Sequence, residues 1–468
     1  MMILACAAIL AIVVQDHTSI HAAPRSGAAE ITAFWQGDVV EIRGEHADYL
    51  KVYDYRRERG GYLKSESVRT IGLTESDASE LLAVLRFLRE RPGSEALGIS
   101  YGAAYLKAVP PHALTAEPFD AIARMAERLA DAASGNAPHL ADVAEHLEVV
   151  GQFGIRVRSF ERNGRMQVCY DGELFRRVLS LARASAEERA HAVLGLTRPD
   201  CIDPNLGPLL RTSLDDERRE LLDRIDEREL SAMTRSRLHA QRAGVWASLA
   251  YQQARRREEP GLAGQRALEE VRAVHTNDLG DDRRAEYTDA VLRVSAIRWA
   301  AVTPVKQAGP LLLSATPGNP GQTCIALEAA HQQRATPLVR RCTYGIAWMA
   351  SAQAIAQGSA LVLAVQPLES WRELWVFHEK AGTWKIDVLS PGANDPEKGY
   401  VEFAGFVPGT RRLLIVRELR ERGRFRRSFE ELRLDDLALV RQASTPELLR
   451  DFGRWQDLAW RRDTLALH

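Results

Sequence analysis

The sequence of 468 residues lacks any apolar run long enough to cross a bilayer as a helix, which takes about 20 consecutive apolar residues. It also lacks an excess of charge. Its 62 Lys and Arg face 63 Asp and Glu, for a formal net charge of -1, so bulk electrostatics makes no case for nucleic acid or an anionic membrane surface as a partner. Cysteine is scarce. The five present form no Cys-x-x-Cys and have no histidine pair nearby, which removes the usual structural zinc site. The phosphate-cradling P-loop, the dinucleotide-type Gly-x-Gly-x-x-Gly and the His-Glu-x-x-His of zinc peptidases are all missing. No cofactor and no metal is therefore expected.

What is present begins with an apolar run, Met1 to Val14, followed by polar residues and His21-Ala22-Ala23-Pro24. Roughly a dozen apolar residues are too few to span a membrane but suit the core of a signal peptide, with Ala22 and Ala23 as small residues at a cleavage site. A leader over 1–23 and a periplasmic or secreted mature chain with no transmembrane segment are expected. The apolar core follows Cys6 instead of preceding it, which argues against a lipidated cysteine. The other four cysteines, Cys169, Cys201, Cys324 and Cys342, are even in number and suit disulfides in an exported chain. Three pairings are open, and proximity favours Cys169 with Cys201 and Cys324 with Cys342. Each such bridge stabilises by roughly 2–4 kcal/mol when unstrained.

The stretch from Trp35 to Ile71 carries the most functional information. Val40 and Ile42 alternate, then Leu50 and Val52 against Tyr49 and Tyr53, then Gly60-Gly61-Tyr62-Leu63, and Val68 closes the series. Short alternating runs joined by glycine-bearing turns describe a tight meander of strands. This stretch of about forty residues resembles a bacterial SH3-like domain. Its opening is abbreviated, since the family's usual Asn-Val-Arg-Ser-Gly-Pro-like start is absent. The resemblance implies a small barrel over 30–72 serving as a binding or spacer module in the bacterial envelope, with a protein partner or cell-wall glycan or peptide as ligand. Tyr49, Tyr53, Tyr55 and Tyr62 are its candidate ligand-binding residues; the alternative is that they only cover the barrel, as aromatics do on half-buried strands.

The length suits two to four domains. The middle, 74–303, reads as helical. Thr74-Glu75-Ser76-Asp77 is a helix start, and Leu81, Leu82, Val84, Leu85 and Leu88 follow at helical spacing up to Pro92-Gly93. Further helices are expected over 100–109, 118–133, 137–150, 172–184, 186–197, 213–240, 244–257, 262–275 and 281–300. Between them, Asn163-Gly164 separates two alternating runs in a hairpin over 155–170. No fixed period repeats, so a helix-hairpin array or irregular bundle is expected and no repeat family is named. After the Pro317-Gly318-Asn319-Pro320-Gly321 cluster come eight strand-like runs between Cys324 and Leu432, read as an antiparallel β domain over 320–442 with two sheets in preference to propeller blades. A terminal helix over 445–468 completes a multidomain α+β chain.

Candidate chemistry is sparse. Gly98-Ile99-Ser100-Tyr101-Gly102 matches the nucleophile string of α/β-hydrolases, but no buried strand precedes it and no strand–helix alternation surrounds it. A close-packed helix start explains it better. His139 and His146, which flank Asp142 and Glu145, share a helix face seven residues apart, where ordinary surface residues are the simpler reading. Asn394, Asp395 and Glu397 beside Pro391-Gly392 offer oxygen ligands for calcium, or merely a hairpin loop. Arg420 to Arg427 is basic enough to meet an anionic polymer, or forms a solvated hairpin end paired with Glu418, Glu421 and Glu430. The expectation is an exported, non-enzymatic binding or scaffold protein of the bacterial envelope. The alternative is a peptidoglycan hydrolase with the SH3-like module as its targeting part, built around Ser100 or the His139/His146 pair.

Overall fold

A computed structural model describes residues 9–135, 140–162, 164–280, 284–303, 309–330, 336–355, 358–392, 398–421, 424–457 and 460–461. The chain divides into two compact units: Met1–Leu206 with Ile225–Leu230, and Gly207–Arg224 with Ser231–His468. The helices expected as a single domain over 74–303 are therefore shared between both units.

The first unit opens with seven strands: β1 (Ile9–Val13), β2 (Thr18–His21), β3 (Glu30–Phe34), β4 (Val39–His46), β5 (Tyr49–Asp54), β6 (Arg59–Lys64) and β7 (Val68–Ile71). They form one sheet in the order β3-β2-β6-β5-β4-β1-β7, with neighbouring strands antiparallel. Alternation sends Val40, Leu50, Val52 and Leu63 inward to meet Ala11, Val13, Ile20, Phe34 and Val68. This cluster draws on all seven strands, so the sheet wraps round it, but β3 and β7 remain unpaired edges and no closed barrel results. The apolar run expected as a leader core supplies β1, whose Ala11, Ile12 and Val13 are fully buried.

Ile12 faces the other way, onto α1 (Ala78–Arg89) and α2 (Glu95–Ala108), where it meets Leu81, Leu88, Tyr101 and Tyr105. The Thr74–Asp77 start holds as read, with the Asp77 carboxylate accepting the Thr74 N–H at 2.9 Å. Next come α3 (Glu117–Ser134), α4 (Leu140–Gly151), the hairpin β8 (Val157–Arg162) and β9 (Arg165–Tyr170), α5 (Glu173–Ser180) and α6 (Ala186–Leu196). Asn163 of that hairpin lies outside the described residues. Ile99, Ile122, Met125, Leu129, Val149 and Phe175 share the main apolar cluster of these elements. Cys169, at the end of β9, is bonded to Cys201.

The second unit starts with α7 (Pro208–Asp223), α8 (Ala232–Arg255), α9 (Gly261–Arg272) and α10 (Arg284–Ile297). The expected helix over 213–240 is broken, and α8 runs on through Gly244. The Ser231 hydroxyl accepts the Thr234 N–H and so starts a new helix. One interior glycine costs about 1 kcal/mol, too little to stop a helix with Val245, Ala247 and Leu249 buried beyond it.

Three strands follow, β10 (Leu311–Pro317), β11 (Thr323–Ala329) and β12 (Val339–Thr343), forming one sheet in which Cys324 and Cys342 are register partners and disulfide-bonded. The remainder are β13 (Ile346–Ile355), β14 (Ala360–Leu368), β15 (Trp371–Lys380), β16 (Thr383–Leu389), β17 (Lys398–Val407), β18 (Arg412–Glu421), β19 (Arg424–Arg433) and β20 (Leu439–Ala443), before a short α11 (Arg450–Trp455). These eight strands form a second sheet, antiparallel except where β15 meets β17. The single strand expected over 339–350 is split at Tyr344-Gly345 into β12 and β13, which belong to different sheets. Leu311, Ile325 and Leu327 of the small sheet pack on Leu361, Leu363, Trp375 and Phe377 of the large one. Within the range of the expected terminal helix, α11 spans Arg450–Trp455 and its Phe452 fills a cluster with Val416 and Phe429, while 458–459 and 462–468 lie outside the described residues.

This unit also buries charge. Glu402 on β17 accepts from Arg298 at 2.7 and 3.1 Å and from Arg372 on β15, whose side chain is 0% exposed. Asp215 on α7 accepts from Arg211 at 2.8 Å and from Arg218, Ser248 and Gln252 at 2.6 Å, which binds α7 to α8.

Candidate binding face and its surroundings

The outward face of β4, β5 and β6 gathers most of the expected ligand-binding tyrosines. Strand alternation puts Tyr49, Lys51 and Tyr53 on the face opposite Leu50 and Val52. Register then sets Glu41 beside Tyr53 and Tyr62 beside Lys51. The Arg43 guanidinium lies 3.9 Å from the Tyr53 ring centre, and Tyr55 stands edge-on to Tyr53 at 5.0 Å. Glu41 accepts from Arg43 at 2.7 Å and from the Tyr55 hydroxyl at 3.0 Å. These two hydrogen bonds, first that from Arg43, hold the Glu41 carboxyl below its ordinary range. Tyr55 remains 64% exposed although its hydroxyl is fixed.

A second aromatic pair, Tyr62 and His46, meets edge-on at 5.4 Å. Tyr49 differs from the other three. It is only 8% exposed, against the edge of His21, so it supports the face and offers little surface to a ligand. Arg43, Glu41 and His46 were not singled out in the sequence. The period of two along β4 was the available signal for Glu41 and Arg43, since it places them beside Tyr53 once the β4–β5 register is known.

The hydrolase-like string has a packing role. Ser100 is buried inside α2 and its hydroxyl is hydrogen-bonded to the carbonyls of Gly37, at 2.6 Å, and Ala96, at 3.1 Å. A Cβ on Gly98 or Gly102 would meet Met125 or Ile122 at 2.4 or 2.6 Å, so both glycines exist to let α3 approach. His146 pairs with Asp16 at 2.8 Å and stands edge-on to Trp35. Burial alone would raise Asp16, but the His146 hydrogen bond and the Gln36 N–H outweigh it and leave the carboxyl lowered. His139 and the loop residues Asn394, Asp395 and Glu397 lie outside the described residues. Among the described residues no cluster of three or more His, Cys, Asp or Glu could hold a metal, and no helix is long and apolar enough to cross a membrane.

The basic run ends in ion pairs of mixed quality. Arg427 approaches Glu418 at 3.8 Å and Arg420 approaches Asp289 at 3.6 Å, while Glu430 is taken by Arg417. The Glu421 side chain lies outside the described residues. Burial pushes the Glu418 carboxyl up to about 7, against the opposing pull of Arg427 and the Tyr400 hydroxyl that donates to it. Comparison with protein-family models and with curated proteins gives no match for this chain.

Proposed function

We propose that the chain is an exported, non-enzymatic binding protein of the bacterial envelope that engages cell-wall material through the outer face of β4–β6. The reading rests on one observation above all: Tyr55 is exposed while its hydroxyl and its ring edge are both held, by Glu41 and Tyr53. An aromatic fixed before contact loses little conformational freedom on binding, which is what a recognition surface needs. The cation over Tyr53 adds a charge that stacks or pairs with a carboxylate of a wall peptide. Two disulfides suit an oxidising compartment and support the periplasmic or secreted location. For the alternative hydrolase, Ser100 offers no nucleophile, since its proton is already given to backbone carbonyls.

The test is co-sedimentation of the full chain with purified peptidoglycan. The Tyr55→Ala and Arg43→Gln variants are expected to lose at least fivefold in the bound fraction with unchanged thermal unfolding. Binding by the parent chain that both variants retain would refute the role of this face. Absence of parental binding to the wall, with a protein captured from envelope extract in a Tyr55-dependent manner, would replace the wall by a protein partner.

A further inference from the structure

Lys51 occupies the middle of the outward face of the first sheet, on the central strand β5. Across the strands it stands between Gly44 on β4 and Tyr62 on β6. Along β5 its outward neighbours are Tyr53 and Tyr49, each two residues or about 7 Å away. Gly44 has no side chain, and a Cβ there would lie 3.9 Å from that of Lys51, so the β4 side of the lysine is open. Lys51 is exposed, and among the described residues its ammonium makes no ion pair and no hydrogen bond. The other charges on the outward positions of β4–β6 are answered. Arg43 donates to Glu41 at 2.7 Å, and Lys64 lies 3.5 Å from Glu66. The surplus on this face is therefore a single cation, placed at its centre.

The rings around Lys51 are more committed than the lysine. The Arg43 guanidinium lies over Tyr53, 3.9 Å from the ring centre, and takes one of its faces. Tyr62 meets His46 edge-on at 5.4 Å, and Tyr49 is buried. A neutral sugar binds by stacking on a bare aromatic face, and the ring beside the centre is already capped. What the centre offers is an ammonium, with three donors and no acceptor. A carboxylate answers that charge. The tyrosines beside it limit access of water to the pair, which strengthens the attraction, and they give the hydrocarbon next to the carboxylate a surface to pack on.

We infer, resting on the wall-binding role proposed for this face, that Lys51 anchors a free carboxylate of the wall's peptide component, so that the face selects peptide stems and not the neutral sugar strand. Co-sedimentation of the full chain with peptidoglycan stripped of phosphate polymers by hydrofluoric acid tests it, before and after carbodiimide and ammonium ion convert the wall's carboxylates to amides. Amidation is expected to lower the parent's bound fraction at least fivefold. Lys51→Gln should lose as much on the unmodified wall, with unchanged thermal unfolding, and amidation should then remove little more. Gly44→Glu sets a carboxylate opposite Lys51 and should also lose at least fivefold, whereas Gly44→Gln, of nearly the same shape, should stay within twofold of the parent. Lys64→Gln removes the same formal charge from the lysine that is already paired, and should likewise stay within twofold. Binding that ignores amidation, full binding by Lys51→Gln, or equal losses in Lys51→Gln and Lys64→Gln would overturn the anchor; a loss in Tyr55→Ala would then leave the wall-binding face standing without it. Binding that vanishes with the phosphate polymers assigns the anion to phosphate and overturns it as well. A parent chain that binds no wall preparation removes both the anchor and the role of the face beneath it.

Discussion

The first unit wraps a seven-stranded sheet round apolar side chains from every strand, whereas the second joins α10 and the turn after it to its eight-stranded sheet through buried ion pairs, Asp289 with Lys398 and Arg298 with Glu402. The first has a smaller ionic device in Arg57, which bridges the buried Asp38 at 3.2 Å and Asp54 at 3.0 Å. The second has the Arg298–Glu402–Arg372 triad, the Asp215 cluster, and Asp289 held by Lys398 and Arg293. Apolar contacts are forgiving in register, while a buried ion must meet its partner or remain costly to bury. The second unit therefore specifies how helix meets sheet more strictly and loses more when one ion is removed.

The largest expected effect tests that difference directly. Glu402→Gln leaves the Arg298 and Arg372 guanidiniums buried without a counter-charge and should destabilise the second unit by about 3–5 kcal/mol. Urea unfolding followed by hydrogen exchange in peptides from β15 and β17 measures it. Replacing all three members with Met or Leu should cost less than the single change, because it removes the buried charges together. If the triple variant is the less stable one, the triad contributes net stability and the contrast between the units shifts from specificity to strength.

Acidity gives the next effect. A carboxyl whose folded-state pKa is raised keeps its proton in the folded chain after the unfolded chain has released it. Glu418, moved from 4.5 to about 7 chiefly by burial, therefore contributes full stability below about pH 4.5, and that contribution is lost as pH rises to about 7. The loss is on the order of 3 kcal/mol by the usual conversion. Glu418→Gln should flatten the slope of stability between pH 4.5 and 7 as read by chemical denaturation; an unchanged slope would assign it to other groups.

The same contrast explains what the sequence made readable. Period two along β4–β6 gave both faces of the first sheet, and the Thr74–Asp77 start gave α1, because each signal is local. The run Ile9–Val13 reads equally as a leader core or a buried strand, and its pairing with β4 and β7 is a long-range fact that no local pattern carries. Glu402 and Arg372 were invisible for a related reason. They lie 30 residues apart, and no pattern marks a charge that turns inward when its partner comes from another strand. Of the candidate face, the tyrosines were legible and Arg43 became so only with the register. The basic run was legible, but the arginine that holds Glu430 is Arg417, which lies outside that run.

The smallest effect concerns the device the first unit uses where the second uses ions. The turn between β3 and β4 touches α2 through backbone. Gly37 has φ +94°, and a Cβ there would stand 2.7 Å from the Ala96 carbonyl oxygen and 2.9 Å from the Ser100 hydroxyl. Gly37→Ala should therefore cost roughly 1–3 kcal/mol from backbone conformation alone, and the clash must be added. Ser100→Ala should cost about 1 kcal/mol, because it removes the hydroxyl that joins Gly37 to the helix while leaving the close approach intact. A serine held ready for chemistry, with its hydroxyl free, would tolerate alanine without loss. Equal stability of Ser100→Ala and the parent in thermal unfolding would reopen the catalytic reading of this string, whereas a measured loss ties it to the seam between sheet and helix.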